Sequence, residues 1–142
     1  MRTLDSVFGI AGTALNAQMV RMNTTASNLA NATTMASSEK DAFRAKRTVF
    51  KALVLEEMTH AGAPHLGGVK VDQVVDDPTP IRSLYDPGNP VANKDGFVFL
   101  SNVNEMQEMV EMMAASRSYQ NNVEVVNTAR QLMMRTLDIT KS

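Results

Sequence analysis

Apolar side chains recur every seven residues at both ends of this chain. From Asn102 to Leu137 no proline or glycine interrupts the sequence. One seam reads Met109, Met112, Ser116, Tyr119, Val123, Val126, Arg130, Met133, Leu137, in alternating steps of three and four. Such steps keep one face of a helix continuous and require a partner helix to cover it. Asn102 and Asn104 are suited to capping the start, with Glu105 and Gln107 at roughly capping-box spacing. At ~1.5 Å per residue the helix would run about 50 Å, longer than the core of one small chain can cover.

The first segment, Leu4 to Asn31, repeats the pattern more weakly. Phe8, Leu15, Met22 and Leu29 are spaced by sevens, with Leu4, Ala11, Gln18 and Thr25 at the complementary steps. Gly9 and Gly12 interrupt it, each costing ~1 kcal/mol relative to alanine in a helix interior. Alone in water this helix is marginal and needs something to cover it. Both segments are also rich in neutral polar residues: Asn16, Gln18, Asn23, Thr24, Thr25, Ser27, Asn28 and Asn31 in the first, and Ser116, Ser118, Gln120, Asn121, Asn122, Asn127, Thr128 and Gln131 in the second. Amides and hydroxyls lose water at lower cost than ions when they find hydrogen-bond partners. Such faces can pack against further helices or stay solvated.

Between the helices the pattern changes. Residues 32–42 read as a polar, mobile connection. A strand is predicted around Arg47 to Val54, and a loop from Thr59 to Gly68. Val69 to Val75 alternates and then doubles at Val74 and Val75, which predicts a strand with a bulge or a covered second face. Asp76-Asp77-Pro78-Thr79-Pro80 breaks it, and Ile81 to Tyr85 can resume pairing. Asp86-Pro87-Gly88-Asn89-Pro90 is a turn cluster, and Asn93 to Gly96 leads into a short strand, Phe97 to Leu100. The fold class is therefore α+β: long N- and C-terminal helices around a small β-rich insertion. Residues 1–32 and 102–142 form the helical part, and 33–101 the linker and insertion.

Composition narrows the chemistry. The 142 residues carry a net charge of −1 and show no basic stripe interleaved with aromatics, so nucleic acid is not an expected partner. Tryptophan and cysteine are absent, which excludes disulfides and thiol chemistry, and six of the eleven methionines lie in the terminal helix. Methionine adapts to irregular contacts better than it defines a rigid cavity. The N-terminal stretch has an early acid, Asp5, and no apolar core, so it is not expected to be a secretory signal. No apolar run approaches the ~18 residues of a membrane span.

His60 and His65 share a short loop but lack a defined third ligand, so neither a metal nor any other cofactor is expected. Ser37 to Lys40 has a Ser-x-x-Lys spacing without companion motifs and reads as linker. Glu105, Glu108 and Glu111 could suggest paired carboxylates for hydrolysis. They fall in the first turns of the helix, with Arg130 and Arg135 toward its end, a distribution that complements the helix dipole. Arg130 occupies a seam position. Its stem can pack while its head reaches solvent, or the head can pair with a carboxylate or carbonyl of a neighbouring subunit; the second is the expectation taken forward.

Several stretches resemble one family. Ala14 to Gln18, Arg21 and Asn23 to Asn31 are similar to the N-terminal signature of the bacterial flagellar rod and hook axial proteins, and Ser116 to Ala129 to their C-terminal one. Phe43-Arg44-Ala45, Val49-Phe50, Gly68 to Val71, Tyr85 to Pro90 and Asn102-Val103-Asn104 narrow the resemblance to the proximal rod. Thr48, Asn89 and Ser101 depart from the family pattern, at turns of the insertion.

The resemblance implies terminal helices paired antiparallel, in a coiled-coil-like inner domain, and helical polymerisation into a hollow drive shaft that transmits torque and lines an export channel. It implies partners among copies of the chain and other rod proteins, and export through the flagellar type III apparatus to the basal body without a cleaved signal. No catalysis and no membrane insertion are expected. The interface residues it assigns are the two seams, Phe8, Leu15, Met22 and Leu29 with Met109, Met112, Tyr119, Val123, Val126, Arg130, Met133 and Leu137. The alternatives are a cell-wall hydrolase using the glutamates and a different axial protein of the same family.

Overall fold

Both heptad-bearing segments are helical in the computed structural model, which describes residues 2–53 and 67–141. Helix α1 spans Arg2–Ala30 and helix α2 spans Glu105–Lys141. Asn104 caps α2: its carbonyl accepts the N–H of Glu108 at 3.0 Å, and its side-chain oxygen accepts that of Gln107 at 3.2 Å. Glu105 and Glu108 follow in the first turn, where the dipole favours acids. Asn102, also expected as a cap, has a different task described below.

The helices run antiparallel. Asn28, near the end of α1, bonds Glu108 at the start of α2, whereas Val7 lines a groove with Val125, Ala129 and Leu132 near the other end of α2. Small residues are buried on both helices: Ala11, Ala17 and Thr25 on α1 and Ala115 and Ala129 on α2.

The insertion forms two small antiparallel sheets. Strands β2 (Lys46–Ala52) and β3 (Val69–Asp76) pair from Lys46↔Asp76 to Ala52↔Val69. The register steps from Val49↔Gln73 to Phe50↔Val71, so Asp72 is the extra residue of a bulge, in the strand where doubling of the valines predicted one. This pair lies along α1, with Lys46 beside Asn28 and the Val69 N–H donating to Thr13 Oγ1 at 3.2 Å. Gly68, at φ +149°, permits that approach, because a Cβ there would sit 3.0 Å from Thr13 Oγ1.

The second sheet has the order β1-β5-β4, formed by Met35–Ala36, Phe97–Leu100 and Arg82–Tyr85. Its centre is Val98, fully buried. Strand β1 falls inside the stretch expected to be a mobile connection. It pairs Met35 with Leu100 and Ala36 with Phe99, and two residues are too few to show an alternating pattern. The strand expected around Arg47 to Val54 is observed as β2, with Val54 outside the described residues. The chain is thus α+β, two long terminal helices with a small antiparallel β insertion. Among the described residues no helix is long and apolar enough to cross a membrane.

Candidate functional site

Four segments meet at a polar junction: the end of α1, the start of β2, the turn after β3 and the start of α2. Asn28 is its centre and is buried. Its Nδ2 donates to the Lys46 carbonyl and to Glu108 Oε2, both at 2.9 Å, and its Oδ1 accepts the Lys46 N–H at 2.8 Å. The side-chain amide therefore satisfies both backbone groups of Lys46 as a neighbouring strand would. Arg47 donates from Nη1 to Glu108 Oε1 at 2.6 Å and from Nε to Asp77 Oδ2 at 3.0 Å.

Asn102 closes the other side. Its Oδ1 accepts the Ala45 N–H at 2.7 Å, and its Nδ2 donates to the carbonyls of Asp77 at 3.2 Å and Thr79 at 2.8 Å. The Asp77 N–H donates to the Ala45 carbonyl at 2.7 Å. Residues 45–47 are thereby held from three directions, which fixes how the insertion leaves the helix pair.

The charges follow from these contacts. The Thr79 hydroxyl and N–H, which both donate to Asp77, together with Arg47, outweigh burial and lower the Asp77 carboxyl to about 2. Burial works against the Arg47 cation, but its bonds and charge attraction to Asp77 and Glu108 prevail and raise its pKa.

Sequence reasoning missed this junction. Thr25 and Asn28 were counted with the outward polar faces, yet both are buried. Glu108, placed by the sequence in the first turns of the helix as a dipole partner, has a side chain only 1% exposed, beneath Arg47 and Asn28. Glu111 pairs with Arg21 of α1. The available signal was that Asn28, Ala45 and Asn102 all fall in stretches of the family resemblance. Among the described residues no group of three or more acidic or histidine side chains is placed to hold a metal. His60 and His65 lie outside the described residues.

The structure distributes the seam residues unevenly. Phe8, Leu15, Met22 and Leu29 are half-buried along α1, as are Met112, Tyr119, Val126 and Met133 along α2. Met109, Val123, Arg130 and Leu137 are exposed. The residues buried between them are Glu108, Ala115 and Ala129, one position toward the N-terminus from Met109, Ser116 and Arg130. Outside the seam, Met106, Val110, Met113, Val125, Leu132 and Met134 are also exposed. Large apolar side chains thus stand on several flanks of α2.

Comparison with known proteins agrees with this architecture. Residues 8–35 match the family model described as flagella basal body rod protein. Residues 94–139 match that of the flagellar basal body rod FlgEFG protein C-terminal region. The chain is 44% identical to the flagellar basal-body rod protein FlgC of Yersinia enterocolitica over 137 residues, covering 96% of this chain and 98% of the relative. It is 44% identical to FlgC of Escherichia coli O157:H7, covering 96% and 97%. It is 42% identical to FlgC of Buchnera aphidicola subsp. Acyrthosiphon pisum, covering 98% and 99%. Helices, insertion and sequence lead to one assignment: the chain belongs to the FlgC family of flagellar basal-body rod proteins.

Proposed function

We infer that this structural subunit of the flagellar basal-body rod polymerises helically through its terminal helices, residues 1–32 and 102–142, with residues 33–101 as an insertion anchored at the polar junction. The observation that carries this reading is the exposure of large apolar side chains on several flanks of α2. Exposed apolar surface of this extent marks a contact with another protein. The neutral polar flank residues, such as Asn23, Ser27, Gln120 and Asn127, lower the cost of surrounding the pair with further helices. The exposed seam residues Met109, Val123, Arg130 and Leu137 face neighbouring subunits in this reading, either copies of the chain or other rod proteins.

The resulting tube serves as a drive shaft and channel, and its subunits perform no catalysis. They reach the basal body unfolded, through the flagellar type III apparatus. The test is complementation of a strain deleted for its FlgC gene, followed by isolation of basal bodies. Restored swimming with the chain recovered in the rod is expected. Failure to enter basal bodies, or cleavage of peptidoglycan by the purified chain, would sink the reading.

A further inference from the structure

Strands β2 and β3 form a ribbon none of whose residues is buried: residues 49–52 of β2 and 72–74 of β3 are exposed, and the others are half-buried or exposed. A two-stranded ribbon without a buried face is marginal in water. The ribbon packs on α1, yet Arg21 and Thr24 of that helix line an open cleft with Thr48 and Phe50 of β2. What keeps the ribbon on the helix is therefore its attachment at the two ends.

The attachments are unequal. At the junction, Asn28 holds both backbone groups of Lys46, the Asp77 N–H donates to the Ala45 carbonyl, and Arg47 bridges Glu108 and Asp77. At the far end one hydroxyl does the work: Thr13 Oγ1 donates to the Ile10 carbonyl at 2.7 Å and accepts the Val69 N–H at 3.2 Å. Beside it the Leu53 N–H closes the ribbon by donating to the Gly68 carbonyl at 3.0 Å. The two points are matched in length. Thr13 and Asn28 lie fifteen positions apart, ~22 Å along the helix. Lys46 to Ala52 covers six steps of β2, ~20 Å, and β3 spans the same pairs in seven because Asp72 is the extra residue of the bulge. A slip of one residue would carry Val69 ~3.3 Å from Thr13 and break both attachments together.

We propose that the β2–β3 ribbon is a strap on α1, hinged at the Asn28 junction and fastened by the Thr13 hydroxyl. It opens from the Thr13 end. The insertion then swings about the junction while the helix pair stays folded.

Hydrogen exchange of the full-length chain, resolved to single amides, tests this, since protection tracks the equilibrium of local opening. All four reporting amides are hydrogen-bonded: Leu53 and Val69 at the fastening, Lys46 and Asp77 at the hinge. In the unsubstituted chain Leu53 and Val69 are expected to exchange faster than Lys46 and Asp77. Thr13→Val keeps the branched shape and removes the hydroxyl, and should speed Leu53 and Val69 by about three- to tenfold while Lys46 and Asp77 stay within about twofold. Thr13→Ser should restore the parent rates at the fastening. Hinge amides that exchange as fast as the fastening in the unsubstituted chain overturn the proposal. So does a Thr13→Val variant that leaves Leu53 and Val69 unchanged, or speeds all four amides alike, and so does failure of Thr13→Ser to restore them.

Discussion

The junction invites a quantitative challenge through Arg47. Replacing it by methionine keeps most of the side-chain volume but removes the cation that faces a fully buried carboxylate. Breaking a buried pair from one side costs ~3–5 kcal/mol, because the remaining charge is uncompensated. Two features reduce that here. The Arg47 side chain is 30% exposed, so water can approach once the head is gone, and Asn28 still donates to Glu108. We therefore expect Arg47→Met to lose ~2–3 kcal/mol. Glu108→Gln should lose ~1–3 kcal/mol, since the new amide must turn its NH2 toward either Asn28 Nδ2 or Arg47, placing donor against donor.

The double variant Arg47→Met/Glu108→Leu decides whether these losses share a cause. With both ions gone, Asp77 keeps Thr79, and one N–H of Asn28 keeps the Lys46 carbonyl. Removing both partners of a buried pair is often nearly neutral, so the double variant should be more stable than the sum of Arg47→Met and Glu108→Leu by ~2 kcal/mol. Urea unfolding of the purified chains, followed by far-UV circular dichroism, measures all of these. A loss below ~0.5 kcal/mol for Arg47→Met, or strict additivity in the double variant, would refute the claim that the junction depends on a buried, paired charge.

Further outcomes follow from the same geometry. Asn28→Asp sets a carboxylate against the Lys46 carbonyl and Glu108, and should be less stable at neutral pH than Asn28→Ala; the reverse order in urea would contradict the contacts assigned to Asn28. The Asp77 carboxyl is lowered in the folded chain to about 2, so its contribution is present above its unfolded value near 4 and is lost as pH falls from about 4 toward 2. The full shift is worth ~2.5 kcal/mol, reduced to about 1 kcal/mol by solvent access to the turn; Asp77→Asn should flatten the acid limb of the stability curve. Gly96 has φ +81°, and a Cβ there would sit 2.8 Å from Tyr85 Cε2, so Gly96→Ala should lose ~1–3 kcal/mol and alter the near-UV tyrosine signal. Leu15→Asp should abolish assembly and lower the melting temperature, whereas Val123→Asp and Arg130→Glu, at exposed positions, should impair swimming with melting unchanged; normal swimming in all three would remove the seams from the interface.

What the sequence made legible was governed by side-chain size. The helices announced themselves through sevenfold recurrence of large apolar residues, and the bulged strand through its valines. The phase of the α2 face was harder. Met112, Tyr119, Val126 and Met133 belong to the half-buried side, but the buried residues of α2 are Ala115, Ala129 and Glu108, which carry little or no hydrophobic signal. Small residues are favoured there because they let helix backbones approach. A pattern search that rewards bulk instead selects Met109 and Val123, one residue further round. The junction was invisible for a related reason: an asparagine that completes a strand edge and one that solvates a helix surface have the same composition. Only the fold brings Asn28, Arg47 and the Asn102–Glu108 stretch, three separate parts of the sequence, to one point.

That convergence gives the subunit a polarity. At the Asn28–Glu108 end, the helices, the insertion and the turn after β3 are tied by directional bonds, and β2 cannot slide without breaking several together. At the opposite end, Val7, Val125, Ala129 and Leu132 line an open groove together with Asn121, Glu124 and Thr128, and Gly9 and Gly12 weaken the helix on one side of it. The firm end fixes the direction in which the β insertion projects. On the rod-subunit reading proposed above, the less constrained end leaves helix α2 able to adjust its packing as neighbours cover it.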